Sequence, residues 1–147
     1  MTMQESKVRV AVIGVGNCAS SFVQGVEFYK GARDDAEVPG LMHVNLGGYH
    51  TRDIEFSAAF DVVAGKVGLD LSAAIWAHPN NTTRFAEVLE MGVPVQRGMT
   101  HDGIGKYLDK VVEKAPGPTD NIVQILKNTD TDVVVSYLPV GSEMATK

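Results

Sequence analysis

Cysteine is nearly absent: Cys18 stands alone among 147 residues. A lone thiol excludes an internal disulfide framework and points to a reducing compartment. Long hydrophobic runs are missing too. No segment approaches the ~20 apolar residues of a membrane span. The apolar run after the polar Met1–Lys7 segment lasts about six residues, short of the ~7–15 of a secretory signal. A soluble cytoplasmic protein is therefore expected. Positive charge is in deficit, with eighteen acids against thirteen bases and a net charge of −5. No basic patch interleaves with aromatics, so neither nucleic acid nor an anionic membrane is an expected partner. His43, His50, His78 and His101 are dispersed, and none has the H-E-x-x-H spacing. No metal is expected, although His43 and His50 share one segment. No Ser/His/Asp or Cys/His arrangement stands out, so no catalytic residue is assigned. Lys106 lies among glycines but lacks the G-x-x-x-x-G-K-[ST] frame, which excludes a Walker loop.

What is present is a chain of single-domain size, 1–147, with 44% apolar residues, enough for a proper core. Its most informative stretch runs from Val8 to Ala19. A β-branched run, Val8 to Ile13, ends in Gly14-x-Gly16-x-x-Ala19, and a helical pattern follows at once. That order matches a dinucleotide fingerprint with alanine in the third position. Gly14 turns the chain off the strand. Gly16 lets a pyrophosphate approach the backbone. Ala19 lets the helix pack close to the sheet. The helix N-terminus offers free N–H groups and partial positive charge to phosphates. The alternative is a tight turn with no ligand.

Asn17 to Tyr29 predicts a helix, with Ala19, Phe22, Val23 and Val26 on one face and Gly31 as its stop. Lys30 to Asp53 has no period and reads as a long insertion or loop. Ile54 to Phe60 predicts a second strand ending at Asp61, followed by a turn and helix over 62–76. Asn80 to Thr83 leads into Phe85, Val88 and Leu89, which predicts a short capped helix. Gly92 to Arg97 predicts a strand. Ile104, Leu108, Val111 and Val112 keep helical spacing. Gly117-Pro118 breaks that pattern, and Thr119 or Asp120 caps a further helix with Ile122, Ile125 and Leu126 inward. Asp132 to Tyr137 predicts another strand, and Ser142-Glu143 opens a last helix. Strands alternating with helices predict an α/β, Rossmann-like, doubly wound parallel sheet. It is incomplete, holding the first half plus a fourth strand.

Asp61, at the carboxyl end of the second strand, is placed to take the adenine-ribose hydroxyls and to repel a 2′-phosphate. More than 40 residues separate it from the glycines, against about 20 in the usual pattern, and the 31–53 insertion accounts for the excess. Its other reading is a helix cap. Asp70 lies near the same edge, and its spacing favours a cap. Asn17 can meet a phosphate or ribose, or cap the helix. Cys18 reads as a small residue packed beside the cofactor, with a thiol lowered by the helix N-terminus as the other reading. The loop Ser136 to Ser142 follows a strand and faces the same edge, where Pro139 and Gly141 also suit any such turn.

Six blocks in order, "VAVIGVGNCASSFVQGVEFY", "VPGLMHV", "RDIEFSAAFDV", "KVGLDLSAAI", "PVQRGMTHDGIGKY" and "DVVVSYLPVGSE", resemble the inositol-1-phosphate synthases of the short prokaryotic type. The resemblance runs from about Val8 to Glu143. It implies isomerisation of glucose 6-phosphate to inositol 1-phosphate (also numbered 3-phosphate). The steps are oxidation, enolisation, intramolecular aldol closure and reduction, with NAD bound and regenerated. It also implies a homotetramer and a supply of inositol for phospholipids. By the same resemblance, Gly14, Gly16, Asn17, Cys18 and Ala19 form the pyrophosphate loop. Asp70 matches an acid used at the cofactor, so Asp61 and Asp70 are both retained. Ser136, Tyr137, Leu138, Pro139 and Val140 lie near the nicotinamide ribose.

The family's catalytic lysines lie in a downstream catalytic and tetramerisation region that this chain lacks. The resemblance therefore implies an N-terminal portion, inactive alone and with exposed sheet edges that favour association. Two other readings are a non-catalytic NAD-binding module and a fragment of an ordinary NAD-dependent dehydrogenase. The first predicts binding without turnover, and the second net NADH release.

Overall fold

The computed structural model describes residues 7–147; residues 1–6 of the polar N-terminal segment lie outside the described residues. β1 (Val8–Ile13) is central because its β-branched residues suit a strand covered on both faces. It pairs in parallel with β4 (Ile54–Asp61) on one side and with β6 (Val133–Ser136) on the other. β5 (Val95–Arg97) adds to β4, again in parallel, and the strand order is β5-β4-β1-β6. The β1–β4 register shifts between Val10 and Ala11, with Val10 opposite Phe56 and Ala11 opposite Ala58.

Residues of the strands feed two cores, and past the β1–β4 irregularity Phe56 shares its core with Ala59 while Ala58 and Phe60 take the other. On one face Val12, Phe56, Ala59 and Val95 pack with Ala19 and Val23 of α1 (Asn17–Tyr29) and with Leu71 and Ala74 of α2 (Leu71–Ala74). On the other, Ala11, Ala58 and Phe60 meet Ile122, Ile125 and Leu126 of α3 (Ile122–Asn128). Helices on both faces of a four-stranded parallel sheet make a doubly wound α/β fold, an incomplete Rossmann-like domain. β6 pairs with β1 alone among the described strands, and Val133 and Val134 are 44% and 45% exposed.

The 31–53 insertion holds only a two-residue antiparallel pair, β2 (Asn45–Leu46) with β3 (Tyr49–His50), and a turn of 3-10 helix at Thr51–Asp53. α4 (Glu143–Thr146) is a single turn following Ser142.

Four expectations need correction. No helix forms at Phe85 to Leu89; residues 80–94 run as an irregular strap along α1. Other side chains take its backbone donors: the Gln24 Oε1 accepts from the Phe85 and Ala86 N–H groups at 2.8 and 3.2 Å. The helical spacing from Ile104 to Val112 yields only a 3-10 turn at Leu108–Lys110. The chain beyond it is drawn into an antiparallel bridge, with the Ala64 N–H donating to Glu113 O and the Ala115 N–H to Val62 O. α3 is capped by Asn121, not by Thr119 or Asp120, because the Asp120 carboxylate accepts the Arg97 N–H. The strand expected from Gly92 begins at Val95, since the Val93 carbonyl accepts from Leu71 N–H.

Candidate functional site

The chain order places β4 and β5 on one side of β1 and β6 on the other. Where the order reverses, the carboxyl ends of β1 and β6 leave a crevice. A cleft of about 420 Å³ lies there, within the usual size for a small-molecule site. Its walls come from the glycine loop (Gly14, Gly16, Asn17), the end of β4 (Asp61), residues 98–100 and 102–104, and Tyr137, Leu138 and Pro139 after β6.

Gly14 sits at φ +88°, and a Cβ there would lie 3.1 Å from the Tyr137 carbonyl oxygen, so only glycine fits the turn. A Cβ at Gly16 would meet nothing within 4 Å, which leaves open space beside the backbone. Gly16 caps α1 with no side-chain hydrogen bond, so Asn17 serves neither as cap residue nor as side-chain cap. Its side-chain oxygen instead accepts from the Asn81 N–H (2.9 Å) and Thr82 hydroxyl (2.8 Å) of the strap. The first-turn N–H groups of α1 thus have no side-chain cap, an arrangement suited to an anion.

Asp61 is the anchor of the loop. Its Oδ2 accepts the Val15 N–H at 2.7 Å, and its Oδ1 accepts the Val62 and Val63 N–H groups at 2.7 and 2.9 Å. Three of roughly four lone-pair sites are filled, leaving room for one more donor. Lys66, 2% exposed, lies beneath the loop. Its ammonium donates to Val15 O at 2.7 Å and to Asn80 Oδ1 at 2.8 Å. Burial lowers its pKa from the ordinary lysine value, and the charge of Asp61 opposes that shift. Tyr137 packs edge-on to Phe22, and burial, with Cys18 nearby, raises its hydroxyl pKa. Asp102 holds α4 to the cleft by accepting the Met144 and Ala145 N–H groups, and these bonds hold its carboxyl low.

Of the residues singled out from sequence, Gly14, Gly16, Asn17, Asp61, Tyr137, Leu138 and Pro139 line the cleft. Ala19 is fully buried in the core under the loop, and Cys18 is exposed on the first turn of α1. Ser136 is exposed and outside the cleft wall. Asp70 is outside it too: its carboxylate caps α2 at Ser72 and accepts the Met91 and Val93 N–H groups. Sequence reasoning missed Lys66 and Asn80, which line the cleft, as does Ser142 at the end of the loop expected at this edge. Lys66 follows a glycine and reads as a solvated turn, so no local signal marks it. Among the described residues, no three His, Cys, Asp or Glu side chains form a metal-binding group, and no helix is long and apolar enough to cross a membrane.

The chain is 58% identical over 142 residues to the inositol-3-phosphate synthase of Mycobacterium tuberculosis, covering 97% of this chain and 39% of that protein. It is 54% identical over 147 residues to the inositol-3-phosphate synthase of Mycolicibacterium smegmatis, covering all of this chain and 40% of that protein. The chain is a relative of the inositol-3-phosphate synthases along nearly its whole length. It spans about two fifths of the length of these curated relatives. No protein-family model matches it. Among solved structures it is similar to the crystal structure of Ari2, with a TM-score of 0.75, 31% identity, and coverage of 95% of this chain and 40% of that one. A myo-inositol-1-phosphate synthase-related protein from Thermotoga maritima shares the fold, with a TM-score of 0.60, 23% identity, and coverage of 90% and 34%.

Proposed function

We propose that the chain is the NAD-binding portion of an inositol-phosphate synthase, which isomerises glucose 6-phosphate to inositol 1(3)-phosphate. The observation that carries this reading is the convergence of the glycine loop, Asp61 and Tyr137 to Pro139 on one cleft at the sheet's switch point. Two features fit a ligand of this kind. The space beside Gly16 is open, and the buried Ser142 hydroxyl, also in the cleft wall, has no hydrogen-bond partner among the described residues.

The Gly14 to Gly16 backbone and the first turn of α1, Asn17 to Ala19, would hold the pyrophosphate. Asp61 would accept one ribose hydroxyl through its remaining lone pair, and its charge would disfavour a 2′-phosphate. Tyr137, Leu138 and Pro139 would wall the nicotinamide end. Asp70 and Ser136, away from the cleft wall, are not part of this assignment. When bound, NAD supplies a reversible hydride acceptor. We assign no catalytic residue within this chain, and the intact enzyme is read as a cytoplasmic homotetramer serving phospholipid synthesis.

Calorimetric titration of the purified chain tests the reading, with one NAD bound per chain expected. Incubation with glucose 6-phosphate and NAD should yield neither inositol phosphate nor NADH. Absence of NAD binding overturns the cofactor assignment. Inositol phosphate formation overturns the expected inactivity, and stoichiometric NADH would favour a dehydrogenase.

A further inference from the structure

Resting on the NAD reading above, we propose that Lys66 is a positioning residue that holds the glycine loop in its ligand-ready shape and offsets the charge of Asp61 beneath the pyrophosphate. Val15 lies between the two glycines of the fingerprint, Gly14 and Gly16. Its side chain is fully buried, and both polar groups of its backbone are held from below. The N–H goes to the Asp61 carboxylate, while the carbonyl accepts from Lys66 Nζ at 2.7 Å and from Asn80 Nδ2 at 3.0 Å. Asn80 is itself fixed, donating also to Ile75 O at 3.0 Å. The loop therefore hangs between groups of opposite charge, and its one inward carbonyl is turned away from an incoming phosphate.

The charge matters beyond the hydrogen bonds. A buried ammonium is costly to desolvate, and an unbranched apolar side chain would fill the same space without that cost. Asp61 places a negative charge against the loop that must receive an anionic pyrophosphate. Lys66 supplies the opposing charge from beneath. Two of its three N–H donors are engaged by Val15 O and Asn80, and the side chain lines the cleft.

The facing charged group is Asp61; Tyr137 lines the same cleft and titrates higher than an ordinary tyrosine, while Cys18 sits exposed on α1. NAD affinity measured from about pH 7 to about pH 10.5, the range in which a lysine titrates, separates these. The native chain should lose affinity along an alkaline limb, with its circular dichroism unchanged. Lys66→Met should bind NAD about tenfold more weakly at neutral pH, the effect of losing one charge-assisted hydrogen bond, and should lack that limb. Lys66→Gln keeps a donor without the charge; it should fall between the two at neutral pH and also lack the limb. Variants that bind as the native chain does, or that keep its alkaline limb, overturn the proposal. Should Lys66→Met fail to fold, Lys66→Gln is judged by the same two readouts. Failure of the native chain to bind NAD at any pH sinks the cofactor reading itself, and this proposal with it.

Discussion

α1 and the strap over residues 80–94 lie side by side and carry similar apolar spacing, yet one is a helix and the other is not. α1 satisfies its own backbone and buries Ala19 and Val23 completely. The strap leaves Phe85 and Leu89 44% and 72% exposed and gives its N–H groups to polar side chains of its neighbours. Those side chains are Asn17 and Gln24 of α1 and Asp70 before α2. Amphipathic spacing is thus a helix signal only where no neighbour offers the backbone a competing set of partners. The strap matters for the site because its first residue, Asn80, lines one side of the cleft.

The sharpest way to break this contrast is at Asp70, which holds the far end of the strap. Asp70→Ala removes the acceptor of the Ser72, Met91 and Val93 N–H groups and of the Ser72 hydroxyl. A stability loss of about 3 kcal/mol in urea unfolding is expected, from several donors left without a partner. Burial pushes the Asp70 carboxyl up, but the bonds from Ser72, Met91 and Val93 outweigh it, and its pKa lies below the ordinary value. A folded pKa below the unfolded one stabilises the fold above the ordinary aspartate range. That contribution is lost as pH falls through the lower folded value. The acid limb of stability should therefore shrink in Asp70→Ala. A variant as stable as the native chain would mean that the strap is held by its apolar contacts instead.

Gln24 comes next. It is fully buried, accepts from two strap N–H groups and donates to Thr83 O at 3.2 Å. Gln24→Leu keeps the volume but leaves those groups unpaired, so a loss of about 2 kcal/mol is expected, independent of pH. Hydrogen exchange should quicken at Phe85 and Ala86 and stay slow in the middle of α1. Equal quickening in both would show that the helix depends on the strap, reversing the contrast drawn above.

The same distinction explains what could be read from the chain. β1, α1 and β4 follow from local pattern, because their apolar residues meet one continuous core. Gly14, Gly16, Asp61 and Tyr137 to Pro139 converge because strand ends of a parallel sheet share one edge. Lys66 was illegible: its partners are the Val15 carbonyl, 51 residues away in sequence, and an asparagine in the strap. Asp70 reads correctly as a cap from its spacing alone, but nothing local foretells that Met91 and Val93 also bond to it. Residues 104–112 keep helical spacing because Ile104, Leu108 and Val112 all line the cleft, a surface that rewards the same spacing without a helix.

The smallest structural effect is expected at Asn17, where the two regions meet at the cleft. Its side chain bonds to Asn81 and Thr82 but is exposed, so water can replace each partner. Asn17→Ala should cost less than about 1 kcal/mol of stability, the range for a solvent-accessible hydrogen bond. NAD affinity should fall more than stability does, by about threefold to tenfold if one ligand hydrogen bond is lost. Thermal melts set beside NAD titrations separate the two effects. A large stability loss with unchanged NAD affinity would make Asn17 a fastener of the strap and remove it from the site. The opposite pattern would show that the strap's outer contacts serve chiefly to present the first turn of α1 to a ligand, while Gln24 and Asp70 hold the strap itself.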